Sequence, residues 1–304
     1  MLTSAMIKEA ALAAGADLCG IGSMDRFCDP NMPEEMNPKY LFPEAKSVIG
    51  LAFRIPRGVQ RGIEEGTQFY QYPSMAYGGI NEIFAPALLY HVGKLIEDEG
   101  YDACLQKAVP NLRVKGDKTT NPEVKDTYEL IHAVPVAEGK PVPDVIIDFG
   151  KAAKACGLGE MGLNGKIINK KYGPFMRYCF IITDAPLELD APLTESVCDK
   201  CGACIAACPG NAVSEKGLDT WQCSVYYRGA HKSNPFMTEQ TLKDHPQREA
   251  ILNGDVLFDP ESARAIYPKL DFMPNHVTGY VACLCGKSCD IACYKHLKEK
   301  GLVK

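Results

Sequence analysis

The stretch CDKCGACIAACPG, residues 198–210, decides how this chain is read. It sets Cys198, Cys201, Cys204 and Cys208 in the spacing C-x2-C-x2-C-x3-C, with Pro209 directly behind. This is the bacterial [4Fe–4S] run. Three thiolates on a tight loop can face three irons of one cubane. The fourth, expected at the start of a helix, points away and can ligate a second cluster. Gly202, Ala203, Ala206 and Ala207 keep the loop small, so backbone N–H groups can approach the sulfurs and hold the negative charge. A structural zinc site wants paired C-x2-C units separated by a longer gap.

A run of this kind implies a partner, and the chain supplies one. VACLCGKSCDIACYKHL, residues 281–297, carries Cys283, Cys285, Cys289 and Cys293, and Cys223 stands alone in between. Two cubanes need eight thiolates. Swapping the last cysteine of each run gives cluster one Cys198, Cys201, Cys204 and Cys293, and cluster two Cys208, Cys223, Cys285 and Cys289. Cys283 is left over, and Cys283 and Cys285 can exchange roles. The second run is irregular, C-x3-C-x3-C, with Tyr294 where proline is usual. The alternative is one cluster and a set of spare cysteines.

The composition fits an ordinary globular protein of one large or two smaller domains: 304 residues, 46% hydrophobic and 23% charged. A net charge of −5 offers no general attraction to nucleic acid or membrane. No apolar stretch approaches a membrane span. The start, MLTSAMIKEAALAAGAD, has no basic segment or twin arginine, so a cytoplasmic protein is expected. Fourteen cysteines without a secretion signal argue against a disulfide framework. Cys19, Cys28, Cys104, Cys156 and Cys179 lie among apolar neighbours and read as buried small hydrophobes.

Along the chain, residues 4–14 read as a helix capped by Thr3 or Ser4 and stopped by Gly15. DLCGIGSM and AKSVIGLAF read as strands. Residues 54–79 read as a long, irregular aromatic loop. Residues 81–100 read as a helix, with Phe84, Leu88, Val92 and Leu95 at helical spacing and His91 as a partly buried histidine. Residues 105–143 read as loops with a short strand. Residues 144–157 read as a helix capped by Asp144. Gly157, Gly159, Gly162 and Gly165 follow, then a β-rich run from Tyr178 to Thr183. The glycines follow a helix, so they are no Rossmann fingerprint, and no G-K-[ST] marks a P-loop. Their spacing suits a helix cap and turn or a cofactor loop about equally. Two more helices are expected near PQREAILNG and PESARAIY.

GLGEMGLNGKIINKKYGPFMRYCFIITDAPLELD, residues 157–190, followed at once by the cysteine run, resembles the core shared by epoxyqueuosine reductases and corrinoid reductive dehalogenases. MAYGGINEIFAPALLYHVGKLIEDEGYDA fits that core in spacing, and the GLGE and YGP-x3-R…TD-x-PL wording leans to the dehalogenases. The resemblance implies an α/β (α+β) architecture. A nitroreductase-like corrinoid and substrate domain over 1–190 would precede a ferredoxin-like two-[4Fe–4S] domain over 191–304. It implies cobalamin held base-off, and the lower-ligand motif D-x-H-x-x-G is indeed missing. By match to the family loop, Gly157, Leu158, Gly159, Gly162, Asn164 and Gly165 would line the corrinoid tail.

Three departures qualify the match. Respiratory dehalogenases carry an export signal. Epoxyqueuosine reductases place a catalytic Asp in a D-x-x-P context, which is missing around Pro143–Asp144, and they carry C-terminal helical repeats. The dehalogenases use a Tyr proton donor beside a basic residue. Tyr70, Tyr72 and Tyr77 are the candidates here, with Arg177 as the basic helper. The function expected is a cobalamin-dependent iron–sulfur reductase that cleaves a bond of a small-molecule substrate, dehalogenase-like. It would be fed by a low-potential donor such as ferredoxin or flavodoxin, and a homodimer is allowed. The alternatives are an electron-transfer protein for a separate redox enzyme, and, behind it, tRNA modification of the epoxyqueuosine type. Nucleic acid is not expected as a partner.

Overall fold

In the computed structural model, which describes residues 2–108, 134–270 and 280–303, the chain forms two units that it enters more than once. The first comprises Met1–Phe53, Ile83–Glu160 and Arg177–Ser196, and the second Arg54–Glu82, Met161–Met176 and Val197–Lys304. A single crossing at residue 190 was expected. The last crossing falls nearby, at Ser196–Val197, but residues 54–82 and 161–176 also join the second unit. Architecture is mixed α/β, with small antiparallel pairings.

In the first unit, α1 (Ser4–Ala13) starts where Thr3 Oγ1 accepts the Met6 N–H, and it stops before Gly15 at φ +103°. β1 (Leu18–Ser23) leads through α2 (Met24–Phe27) to β2 (Ser47–Arg54), its antiparallel partner. β3 (Ala103–Gln106) pairs antiparallel with β6 (Met176–Thr183), and the sheet order is β1–β2–β6–β3. Short strands β4 (Glu160–Met161) and β5 (Ile167–Ile168) lie between them in sequence. The inner strands β2 and β6 are nearly continuous apolar runs and are buried along almost their whole length, as strands covered on both faces must be.

The two remaining helices of this unit correct the sequence reading in detail. α4 (Ala85–Asp98) turns Leu88, Leu89, Val92 and Ile96 inward, and Gly93 lets Leu105 of β3 pack against it. Phe84, expected in that stripe, is exposed, as is His91. α5 is only Phe149–Ala155, and its cap is Asp148, whose carboxylate accepts the Lys151 N–H, not Asp144. The β-branched run Val145–Ile146–Ile147 disfavours the helix and stays extended. A Cβ at Gly20 would stand 2.2 Å from the Cys156 carbonyl oxygen, and one at Gly50 2.6 Å from Leu158 Cδ1. These glycines let the end of α5 settle on the sheet.

The second unit is helical. Residues 54–79, expected as a loop, hold α3 (Arg57–Glu64) and much of a π-helix, Pro73–Phe84. Its buried residues are Pro73, Ala76, Gly78, Ile80 and Asn81, with buried Tyr72 just before it. The core gathers Val225 and Tyr226 of α7 (Thr220–Tyr227), Ile251 and Leu252 of α8 (Arg248–Asn253), and Ala263 and Ile266 of α9 (Pro260–Ile266). α8 and α9 are the helices expected from the sequence. Buried Gln222 holds the unit together. Its amide donates to the Gly210 and Val256 carbonyls and accepts from the Phe258 N–H. α6 (Ala203–Ala206) packs against α10 (Ser288–Glu299). The part of the loops and short strand expected over 105–143 that falls at 109–133 lies outside the described residues.

Candidate iron–sulfur and catalytic site

The first cysteine run turns tightly because Lys200 (φ +57°) and Gly202 (φ +77°) are left-handed. Cys204 then sits inside α6, and Cys208 follows that helix instead of starting it. Cys198, Cys201, Cys204 and, from α10, Cys293 line one cavity, closed by Leu163, Ile168 and Leu297. These are the four sulfurs assigned to cluster one. The N–H groups of Cys204 and Ile205 point to the Cys204 sulfur. Burial, then Asp290 and the other three thiols, pushes Cys293 far up. Four thiols lining one cavity form a donor set suited to an iron–sulfur cubane. At the rim, the Asp199 carboxylate accepts from Lys300 Nζ and, at 2.8 Å, from His296 Nε2. This holds it far below the usual carboxylate range.

The second set assembles around α7. Cys208 Sγ accepts the Ala212 N–H at 3.3 Å. Cys223, on α7, is pushed up to about 11 by burial, then by Cys285, with Cys208 contributing. Cys289 is raised by burial and Asp290, and also feels Cys285. Thus Cys223 lies within electrostatic reach of Cys208 and Cys285, and Cys289 within reach of Cys285. The loop before α10 is pinned by its backbone: Cys283 N–H to the Phe69 carbonyl at 3.2 Å, and Leu284 N–H to the Tyr227 carbonyl at 3.0 Å. His231 Nε2 donates to the Leu284 carbonyl at 3.1 Å. Cys283 is buried and shares a hydrogen bond with Cys285, so the ninth cysteine stands directly beside the ligand it could replace.

Lys287 and its surroundings were not singled out from the sequence. Its Nζ lies 5.6, 5.8 and 5.1 Å from the ring centroids of Tyr72, Tyr77 and Tyr227, within cation–π range, and 3.7 Å from Asp290 Oδ2. Burial opposes its charge, but Tyr77 and Asp290 override burial and its pKa stands well above the ordinary lysine value. Asp290 is wholly buried. Its Oδ1 accepts from Asn164 Nδ2 at 2.9 Å. Tyr77 stacks on Tyr280 at 5.1 Å, and the Tyr280 hydroxyl donates to Glu82. The basic neighbour of Tyr72 and Tyr77 is therefore Lys287. Arg177 lies on β6 in the first unit, and Tyr70 is raised by burial.

The glycine segment divides between the units. In the first, Gly157 is left-handed with the Ala191 carbonyl against its Cα, and Leu158 is core. In the second, Gly162 makes room for Ile168 and Gly165 for Leu218, while Asn164 is buried on Asp290. Packing by the chain itself accounts for their small size. The N–H groups of Gly157, Leu158, Gly162 and Gly165 are taken by the Lys154, Ala153, Lys166 and Gly162 carbonyls.

No family model matches the chain. It is 40% identical over 74 residues to an epoxyqueuosine reductase of Leadbetterella byssophila, a match covering 24% of each chain. It is 24% identical over 254 residues to that of Bacillus cereus, covering 82% of this chain and 55% of the relative. The chain thus spans about half the length of that curated relative. Among solved structures, a catabolic reductive dehalogenase superposes with a TM-score of 0.51 at 17% identity, covering 86% of this chain and 35% of the other, a likeness of fold. These likenesses support the superfamily of epoxyqueuosine reductases and reductive dehalogenases, both of them oxidoreductases.

Proposed function

We propose, from its place in that superfamily, that this chain is a corrinoid-dependent reductase fed by two [4Fe–4S] clusters. The observation that carries the reading is the cavity lined by Cys198, Cys201, Cys204 and Cys293, a set drawn from both runs. Cys208, Cys223, Cys285 and Cys289 would hold the second cluster. A corrinoid, held base-off against the backbone of the segment from Gly157 to Gly165, would supply the strongly reducing metal that cleaves the substrate bond. A groove of about 490 Å³ opens beside Cys285, where a low-potential protein donor could approach the second cluster.

The chain's own residues supply the proton. Tyr77 is half-buried, edge-on to buried Tyr72, and Lys287 faces both rings. Lys287 Nζ, 5.8 Å from the Tyr77 ring centroid, would stabilise the phenolate left after Tyr77 donates. Tyr77→Phe should cut turnover at least about 100-fold while leaving iron content unchanged.

The curated relatives favour an epoxyqueuosine-type substrate over the dehalogenase-like cleavage of a small-molecule bond expected from the sequence. With a net charge of −5, tRNA would need a local basic contact. The second reading, a dehalogenase, draws on the wording around residues 157–187 and the likeness of fold. Anaerobic assays with an epoxyqueuosine-containing stem-loop and with aryl halides separate the two. Reconstituted protein that takes up no cobalamin would remove the corrinoid. Redox-active clusters with no turnover would then leave an electron-transfer protein.

A further inference from the structure

The second cysteine run has three residues between Cys285 and Cys289, where the first has two between Cys198 and Cys201. Lys287 takes a left-handed turn (φ +52°) in that longer spacing, and its side chain is only 5% exposed. Lys200 in the first run is also left-handed but is exposed. The second run therefore brings a buried ammonium, Lys287, and a buried carboxylate, Asp290, where Lys200 and Asp199 of the first are exposed. The ammonium's partner is loose: Asp290 Oδ2 lies 3.7 Å away and makes no hydrogen bond. Asp290 ties the ammonium to the run's sulfurs, its Oδ1 lying 3.6 Å from Cys289 Sγ. A buried cation is retained only where something compensates it, and three tyrosine faces with one carboxylate do so here.

We propose that Lys287 is a fixed positive charge that raises the reduction potential of the cluster held by Cys208, Cys223, Cys285 and Cys289. Taking up an electron makes that cluster more negative by one charge. A cation beside it, away from water, favours the reduced form. The cluster held by Cys198, Cys201, Cys204 and Cys293 has no such charge buried in its run. The first electron from an external one-electron donor then rests next to the tyrosines. This role depends on the two-cluster reading.

The test is an EPR-monitored redox titration with dithionite of the reconstituted full chain, with iron and sulfide counted on each sample. Lys287→Met should lower the reduced-to-oxidised ratio of one cluster at least about tenfold at a fixed potential. That corresponds to about 59 mV for one electron. The other cluster should stay put, and Lys287→Arg should stay near wild type. Lys287→Met with about eight irons and two unmoved potentials would overturn the role. If that variant loses iron, Asp290→Asn, which removes the counter-charge, must move the same potential upward. An unmoved or lowered potential there overturns it as well. About four irons in the wild type would instead defeat the two-cluster reading itself.

Discussion

At the scale of single residues, Cys293 links the two runs. It lies on α10 beside the second run, yet it completes the cavity of the first. Cys293→Ser should lower iron from about eight to about four per chain, read by iron analysis of anaerobically prepared protein. This pairing was legible because C-x2-C-x2-C-x3-C fixes which sulfurs face together. Lys287 was not legible, since its burial follows from a backbone turn that spacing alone does not encode. Two glycines mark opposite packing situations. A Cβ at Gly210 would stand 2.0 Å from the Tyr226 ring, so Gly210→Ala should cost about 1–3 kcal/mol. Gly58, exposed on α3, meets nothing within 4 Å, and Gly58→Ala should stabilise by about 0.5–1 kcal/mol. Thermal unfolding of the two variants, in opposite directions, checks both.

At the scale of elements, caps and composition decide most boundaries. Asp259 caps α9 through a reciprocal pair with Ser262. Asp259→Ala should therefore cost about 1 kcal/mol, measured by denaturant unfolding. The same logic misplaced the start of α5. Asp144 and Asp148 are both good caps, and the β-branched residues between them choose the later one. The stretch before α4 is broken by Pro73, Gly78 and Gly79, so its sequence reads as a loop although it is helical. The strands were easier to read. β2 and β6 are apolar nearly throughout, a pattern that fits an inner strand.

At the scale of the whole molecule, the order of the cysteine runs was visible in the sequence, but the interleaving of the two units was not. Residues 54–82 carry no cysteine, yet they supply Tyr72, Tyr77 and the Phe69 carbonyl that receives the Cys283 N–H. Stability should also carry a pH signature from His231. Its Nδ1 bonds with Ser233 Oγ and its Nε2 donates to the Leu284 carbonyl, and burial holds its pKa below the ordinary histidine value. Such a group stabilises fully above the unfolded pKa of about 6.5, and that stability is lost as pH falls through the lower folded value. Melting temperature should fall from pH 7 to pH 5.5, and His231→Gln should reduce that dependence.

The most direct measurement is the content of iron, acid-labile sulfide and zinc in protein prepared and reconstituted without oxygen. The account requires about eight irons and about eight sulfides per chain, with a reducible cluster signal in EPR. Zinc bound tightly by these cysteines, without sulfide, would contradict it.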